Sequence, residues 1–182
     1  MQASEIRGLA EGLLEVALAA ARALMAHFGT GMEVERKADH SPVTAADRQA
    51  EAIILSGLAR LAPGVAIVAE EEVAAGRIPD ISGGFFLVDA LDGTNGFIKG
   101  RREFTINIGL IEAGRPVFGL LYAPALADFY VTLASNAAVN ARLEPDARVR
   151  SLAECDLQSL HGRVARAPGR VQWRQGLGAK VV

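Results

Sequence analysis

The sequence predicts an α+β fold in which two helices lead into a largely antiparallel sheet. Three observations carry this. Apolar residues recur at spacings of three and four through the N-terminal third. Two short apolar runs, "VAIVAEEE" (65–72) and "FFLVD" (85–89), each end in acid. Two longer runs, 104–111 and 117–122, are joined by "EAGRP", which reads as a hairpin.

Ile6, Leu9, Leu13, Val16, Ala20, Leu24 and Phe28 fall on one helical face, with Ser4 as the expected cap and Gly29 and Gly31 as the stop. "KADHSP" (37–42) reads as loop. Thr44 caps a second helix, Ile53, Ile54, Leu58 and Leu61 form its buried stripe, and Pro63-Gly64 ends it. "AAGRIPDISGG" (74–84) is a loop, and "FYVTL" (129–133) adds a strand to the hairpin. After Ala134 the pattern weakens. Val149, Leu152 and Leu157 are expected in one strand and one helix.

A length of 182 residues suits one domain, or one and part of a second. With 51% hydrophobic and 22% charged residues, a sizeable core can form. A net charge of −2 gives no electrostatic case for nucleic acid or a membrane surface. Cys155 is the single cysteine, which excludes an intrachain disulfide and a cysteine-based metal site. Glu5, Arg7, Glu11 and Glu15 interrupt any signal peptide. No stretch approaches the ~18 apolar residues of a membrane span. A cytoplasmic protein is expected.

The acids gather at element ends. Glu70, Glu71 and Glu72 follow one strand, Asp89 and Asp92 follow another, and Asp47 lies in the first turn of the second helix. Carboxylates brought together this way are unfavourable unless cations fill the space between them. An oxygen-only ligand set suits Mg²⁺. The spacing Asp89-Ala90-Leu91-Asp92 suits a turn that returns both side chains to one site and exposes the Leu91 carbonyl. Gly93 permits a tight turn. The amides of Gly93 and Thr94, if they open a helix, face an anion. Metals beside anion-binding amides suggest a phosphate ester and two-metal hydrolysis. Plainer readings stand beside this one. Thr44-Ala-Ala-Asp47 is also a capping box, "EEE" is commonly a solvated run, and Asp-Gly is commonly a turn. Asp89 directly follows four apolar residues and needs a partner if buried.

Three segments, "KADHSPVTAAD" (37–47), "AEEEVAAG" (69–76) and "VDALDGTNGF" (88–97), resemble the signature motifs of the inositol monophosphatase-like, lithium-sensitive, Mg²⁺-dependent phosphatases. The match covers roughly residues 5–133. It implies a layered α/β sugar-phosphatase fold, with the N-terminal domain complete over 1–133 and a second domain, 134–182, truncated or altered. "GFIKGRREFTINI" and "YAPAL" look most like the 3'(2'),5'-bisphosphate nucleotidases, which remove the 3'-phosphate of 3'-phosphoadenosine 5'-phosphate to give AMP during sulfate assimilation.

By this resemblance Glu70 bridges metal or positions water, and Glu71 is its acidic neighbour. Asp89, the Leu91 carbonyl and Asp92 are further metal ligands. Gly93 and Thr94 bind the phosphate together with Asp92 and Glu70, and Thr94 orients the nucleophilic water. Asp47 belongs to a further metal site, and with Glu70 and Thr94 completes the catalytic set. Two or three Mg²⁺ ions, inhibition by Li⁺ and a small phosphate-ester substrate are implied, with a homodimer among the expectations.

Two departures stand out. Ala90 occupies a position where the family usually has proline. The family's Trp-Asp motif, whose aspartate completes the metal site, has only Trp173-Arg174 as a counterpart, and no aspartate stands in a matching context; full activity of this chain would point to Asp128, Asp146 or Asp156 as the replacement. An inositol-phosphate or fructose-1,6-bisphosphate phosphatase is the alternative enzyme. A non-catalytic relative is the alternative of another class. Lys99, Arg101 and Arg102 are candidates for a second phosphate, though a solvated loop is the simpler reading. His27 and His40 are read as structural or surface residues.

Overall fold

Helix α1, Ala3–His27, buries one continuous apolar stripe from Ile6 to Leu24. Its cap is Gln2 and not Ser4. The Gln2 amide donates to Glu5 Oε2 at 2.6 Å, so the helix opens before Ser4, which falls inside the first turn. A second helix, α2, spans Ala45–Leu61 with Thr44 as its cap. The two helices pack closely at Gly57, where a Cβ would stand 2.5 Å from Val16 Cγ2. The computed structural model describes residues 1–31, 34–36 and 42–160.

Between the helices lies a hairpin the sequence does not announce, β1 (Val34–Arg36) and β2 (Pro42–Thr44). Glu35 and Arg48 tie it to α2 through a two-pronged ion pair. "KADHSP" falls outside the described residues except for Pro42, which begins β2.

The remaining strands are β3 (Ala66–Ala69), β4 (Phe85–Asp92), β5 (Thr105–Glu112), β6 (Arg115–Ala123), β7 (Asp128–Ala134), β8 (Ala137–Arg142) and β9 (Gln158–Ser159). They form one seven-stranded sheet in sequence order. Only β3 and β4 are parallel, and every other neighbouring pair is antiparallel. The β5–β6 hairpin closes at Ala113-Gly114, both at positive φ (48° and 71°), the primed-turn geometry that matches strand twist.

Phe86, Val88, Ile106, Ile108, Phe118, Leu120, Phe129 and Val131 point toward α1 and α2 and make one core with them. The alternate residues face the other way, where Leu87 and Leu121 each remain 38% exposed. Strand alternation is therefore clean, with one face covered by helices and one open.

The sheet does not end at residue 133. Strands β8 and β9 extend it from its β7 edge. Leu143 and Leu152 join the core, so the described residues beyond 133 share the sheet and core of those before it. Of the strand and helix expected to hold Val149, Leu152 and Leu157, the helix is a single 3₁₀ turn, Leu152–Glu154. Val149 precedes it, and Leu157 precedes β9. A longer helix has little to bury here. Leu152 is the only buried residue of that turn, and its amide is held by Glu11 Oε2 of α1 at 2.7 Å. Among the described residues no helix is long and apolar enough to cross a membrane.

Candidate active site

Because β3 and β4 are parallel, their C-terminal ends emerge at the same edge of the sheet. Each runs into a five-residue helix. After Ala69 the chain turns into α3, Glu70–Ala74, so the three glutamates open a helix where the sequence suggested a strand trailing into acid. Acids in a first turn face the positive end of the helix dipole. After Asp92, Gly93 leads into α4, Thr94–Ile98.

Strand β4 brings Asp89 and Asp92 together by a device other than a turn. Residues three apart on a regular strand point to opposite faces. Here the register with β5 shifts between Asp89, opposite Asn107, and Asp92, opposite Thr105. Ala90 and Leu91 form the bulge and both are buried, which returns Asp92 to the open face. Asn107 Nδ2 lies 3.4 Å from Asp92 Oδ2 and 2.9 Å from Thr105 Oγ1.

Gly93 is the hinge of this wall. Its φ is +91°, and a Cβ would stand 3.0 Å from the Glu103 carbonyl oxygen, so both conformation and space require glycine. Beyond it Phe97 anchors α4 in the core. Its ring meets Phe104 edge-on with centroids 4.9 Å apart, and Phe28 at the end of α1 lies 5.6 Å away.

Helix α2 joins this wall through Asp47, which is 4% exposed. One carboxylate oxygen accepts from the Thr44 amide at 2.8 Å, the capping box the motif foretold, and the Thr44 hydroxyl donates to it as well. The other oxygen lies 3.2 Å from Thr94 Oγ1, which is also 3.0 Å from the Leu91 carbonyl. A hydroxyl has one proton, so Thr94 donates to one of these acceptors at a time. The one side chain thus caps α2 and also reaches Thr94 beside β4.

The electrostatics follow from this crowding. Burial pushes the Asp89 carboxyl up to about 8, with the charges of Glu70, Asp92 and Asp47 adding to it and the Leu91 amide opposing. That amide donates to Asp89 Oδ1 at 3.1 Å. Asp92 is also raised, by burial first and Glu70 second. Glu72 is lowered instead, because Arg77 binds it with two hydrogen bonds of 2.5 and 2.8 Å. Of the three consecutive glutamates, Glu72 is therefore committed to a surface ion pair.

Every candidate ligand, Glu70, Asp89, Asp92, Asp47 and the Leu91 carbonyl, offers oxygen only, which fits a hard divalent cation. Among the described residues no three acidic or imidazole side chains are gathered closely enough to be a ready-made metal cluster. Like charges oppose such closure, and a cation removes the opposition.

Other candidates go elsewhere. The Arg102 guanidinium is engaged by the Ala125 carbonyl, and Lys99 and Arg101 are exposed beside α4. His27 Nε2 meets Gln49 Oε1 at 3.1 Å and links α1 to α2. His40, Trp173 and Arg174 lie outside the described residues. Asp128 is paired with Arg142 at 2.6 Å, and Asp146 lines a groove beside α1.

Two residues escaped the sequence reading, Asn107 and Glu51. Glu51 is 3% exposed, four residues after Asp47 on the same helical face. Its Oε2 accepts from the Glu71 amide at 2.9 Å. Burial raises its carboxyl to about 6, against the pull of that amide. The signal for it was an acid inside an otherwise apolar stripe of Ala46, Ala50, Ile54 and Leu58.

Known proteins share this architecture and these motifs. A model of the inositol monophosphatase family matches residues 5–168, and the chain belongs to that family. It is 50% identical over 99 residues to the 3'(2'),5'-bisphosphate nucleotidase CysQ of Salmonella typhimurium, a match covering 54% of this chain and 40% of that protein. Among solved structures, the extragenic suppressor protein suhB of Bartonella henselae aligns with a TM-score of 0.65 and 28% identity, over 75% of this chain and 53% of the other. CysQ of Bacteroides thetaiotaomicron, described as a bacterial member of the inositol monophosphatase family, aligns with a TM-score of 0.60 and 29% identity over 81% and 54%. The matched part of the chain thus spans about half the length of these relatives, or less.

Proposed function

We propose that this chain carries the metal- and phosphate-binding half of a Mg²⁺-dependent phosphomonoesterase acting on 3'-phosphoadenosine 5'-phosphate to give AMP. One observation carries the reading. The Asp89 carboxyl on β4 feels the charges of Glu70 on α3, Asp92 on β4 and Asp47 on α2, and Asp47 also meets Thr94, at the edge where two parallel strands end. The nucleotidase CysQ relative gives the substrate class.

In this reading Glu70, Asp89, Asp92 and the Leu91 carbonyl hold the metal. Bound Mg²⁺ supplies an activated water and neutralises charge on the leaving oxygen. The chain's own groups do the rest. The bulge at Ala90-Leu91 turns Asp89 and Asp92 to one face. Asp47 and the Leu91 carbonyl orient the Thr94 hydroxyl toward an attacking water, and Asp47 is the acceptor placed to receive a proton from that hydroxyl. The left-handed Gly93 turns the chain into α4, whose first amides would receive the phosphate.

The test is phosphate release with Mg²⁺ from 3'-phosphoadenosine 5'-phosphate and from inositol 1-phosphate. It is run on the 182-residue chain and on the same chain joined to the remaining half of a CysQ relative that bears the Trp-Asp motif. Faster release from the nucleotide, inhibited by Li⁺, is the expected result, with the joined chain the more active. A preference for inositol 1-phosphate would move the protein to the other branch of the family. No release from either substrate by either chain would end the phosphatase reading.

A further inference from the structure

We propose that Glu51 is a positioning residue that fixes Glu70 relative to Asp89 and Asp92 by capping α3 from the buried face of α2; this rests on the metal-phosphatase reading above. Helix α3 has no cap of its own. Its N-cap residue is Ala69, which has no side-chain acceptor, and none of its five residues is buried. No residue at the start of α3 caps the helix that carries Glu70. The Glu51 carboxylate, reaching across from another element, takes the Glu71 amide at 2.9 Å and also interacts with the Glu72 amide. These are donors that the first turn of any helix leaves unpaired.

The placement of Glu51 on α2 gives the bond its consequence. Asp47 and Glu51 are one turn apart on the same helix face, at 4% and 3% exposure. Asp47 reaches Thr94 beside the end of β4, and Glu51 reaches the amide after Glu70 beside the end of β3. A single rigid turn of α2 therefore spans the two strand ends and sets the gap between the walls that carry the ligands. A carboxylate is a poor choice for mere filling here. It is buried in an apolar stripe, and the charges of Glu71 and Glu72 act against it. Groups that orient metal ligands without touching the metal change affinity by roughly 10–100-fold when removed.

Two substitutions in the full chain separate positioning from structure. Glu51→Met keeps the volume and removes the acceptor. Glu51→Gln keeps an acceptor of the same reach and removes the charge. Mg²⁺ affinity is read by calorimetry, and the exchange of the Glu71 and Glu72 amides by NMR in Mg²⁺-free buffer. Glu51→Met is expected to weaken Mg²⁺ binding roughly 10–100-fold and to unprotect both amides, with Glu51→Gln close to wild type in each. Unchanged Mg²⁺ affinity in a folded Glu51→Met protein would overturn the proposal. Glu51→Gln as weak as Glu51→Met would also overturn it, because charge and not the cap would then be what matters. Should Glu51→Met not fold, Glu51→Asp, one methylene too short for the same amides, takes its place. If wild type itself binds no Mg²⁺, the metal reading fails first. The amides alone then decide the cap, which stands if they lose protection without the acceptor and falls if they do not.

Discussion

The candidate site has two walls built on one plan and held by different forces. In each a strand ends, an acid follows and a five-residue helix begins. The wall from β4 into α4 is fixed by backbone and packing, through the bulge at Ala90-Leu91, the left-handed Gly93 and the buried ring of Phe97. The wall from β3 into α3 has no glycine, no bulge and no buried helix residue, and a carboxylate from α2 ties its first turn. The first is rigid and stores like-charge repulsion around Asp89. The second leaves Glu70 exposed. For the cation site proposed above, the β4 wall would be the fixed jaw and the α3 wall, free to move once the Glu51 tie is lost, the adjustable one.

The largest expected effect lies in the Asp89 carboxyl, raised by burial first and by its charged neighbours second. Unfolded, the Asp89 carboxyl ionises at about 3.9; folded, burial and its neighbours raise it to about 8. Between those values the folded protein retains a proton that the unfolded chain has lost, so rising pH favours unfolding. Each pH unit in the window costs up to about 1.4 kcal/mol. Thermal melting of the Mg²⁺-free protein should therefore move to lower temperature from pH 5 to pH 8. Asp89→Asn should flatten the trend, and Glu70→Gln, which removes only a neighbouring charge, should flatten it less. A wild-type melting temperature indifferent to pH would mean the fixed jaw stores no such repulsion.

Next in size is the packing that fixes the β4 wall. Phe97 is 2% exposed and closes a three-ring cluster with Phe104 and Phe28. Phe97→Ala removes that anchor and leaves a cavity, a change that costs about 3–5 kcal/mol in a buried phenylalanine. Urea unfolding measures it. A loss no larger than that of an average surface substitution would show that α4 is not held by its aromatic contacts.

The same contrast explains what could be read from the sequence. The β4 wall is local. Four apolar residues, an acid, a glycine and a buried phenylalanine lie within thirteen positions, and Asp89, Asp92, Gly93 and Thr94 were legible from them. The bulge was not, because two consecutive apolar residues fit a turn as readily. Nor was α3 legible as a helix, because "EEEVA" has no apolar period and its cap comes from a residue twenty positions earlier. The pairing of Val34–Arg36 with Pro42–Thr44 was not legible because each strand has only three residues. Beyond Ala134 the strands were hidden because β8 buries only Ala141, and β9 has just two residues, both exposed. The single parallel pair that brings Ala69 and Asp92 to one edge is a tertiary fact, and the site depends on it.

The smallest expected effect is the one that tests the comparison most directly. Val73 is the large apolar residue of α3, as Phe97 is of α4, but it is 37% exposed. If α3 is held by the Glu51 cap and not by packing, Val73→Ala removes little that folding had gained. Its cost should stay within about 0.5 kcal/mol, the range of ordinary surface substitutions. The measurement is the same urea titration, run beside Phe97→Ala under the same buffer and Mg²⁺-free conditions. The amide protection of Glu71 and Glu72 should be untouched by Val73→Ala, because the acceptor on α2 is still in place. A loss approaching that of Phe97→Ala, or amides that exchange freely in Val73→Ala, would mean that side-chain packing carries α3 after all. The two walls would then be alike, and the adjustable jaw would have to be sought elsewhere than at Glu70.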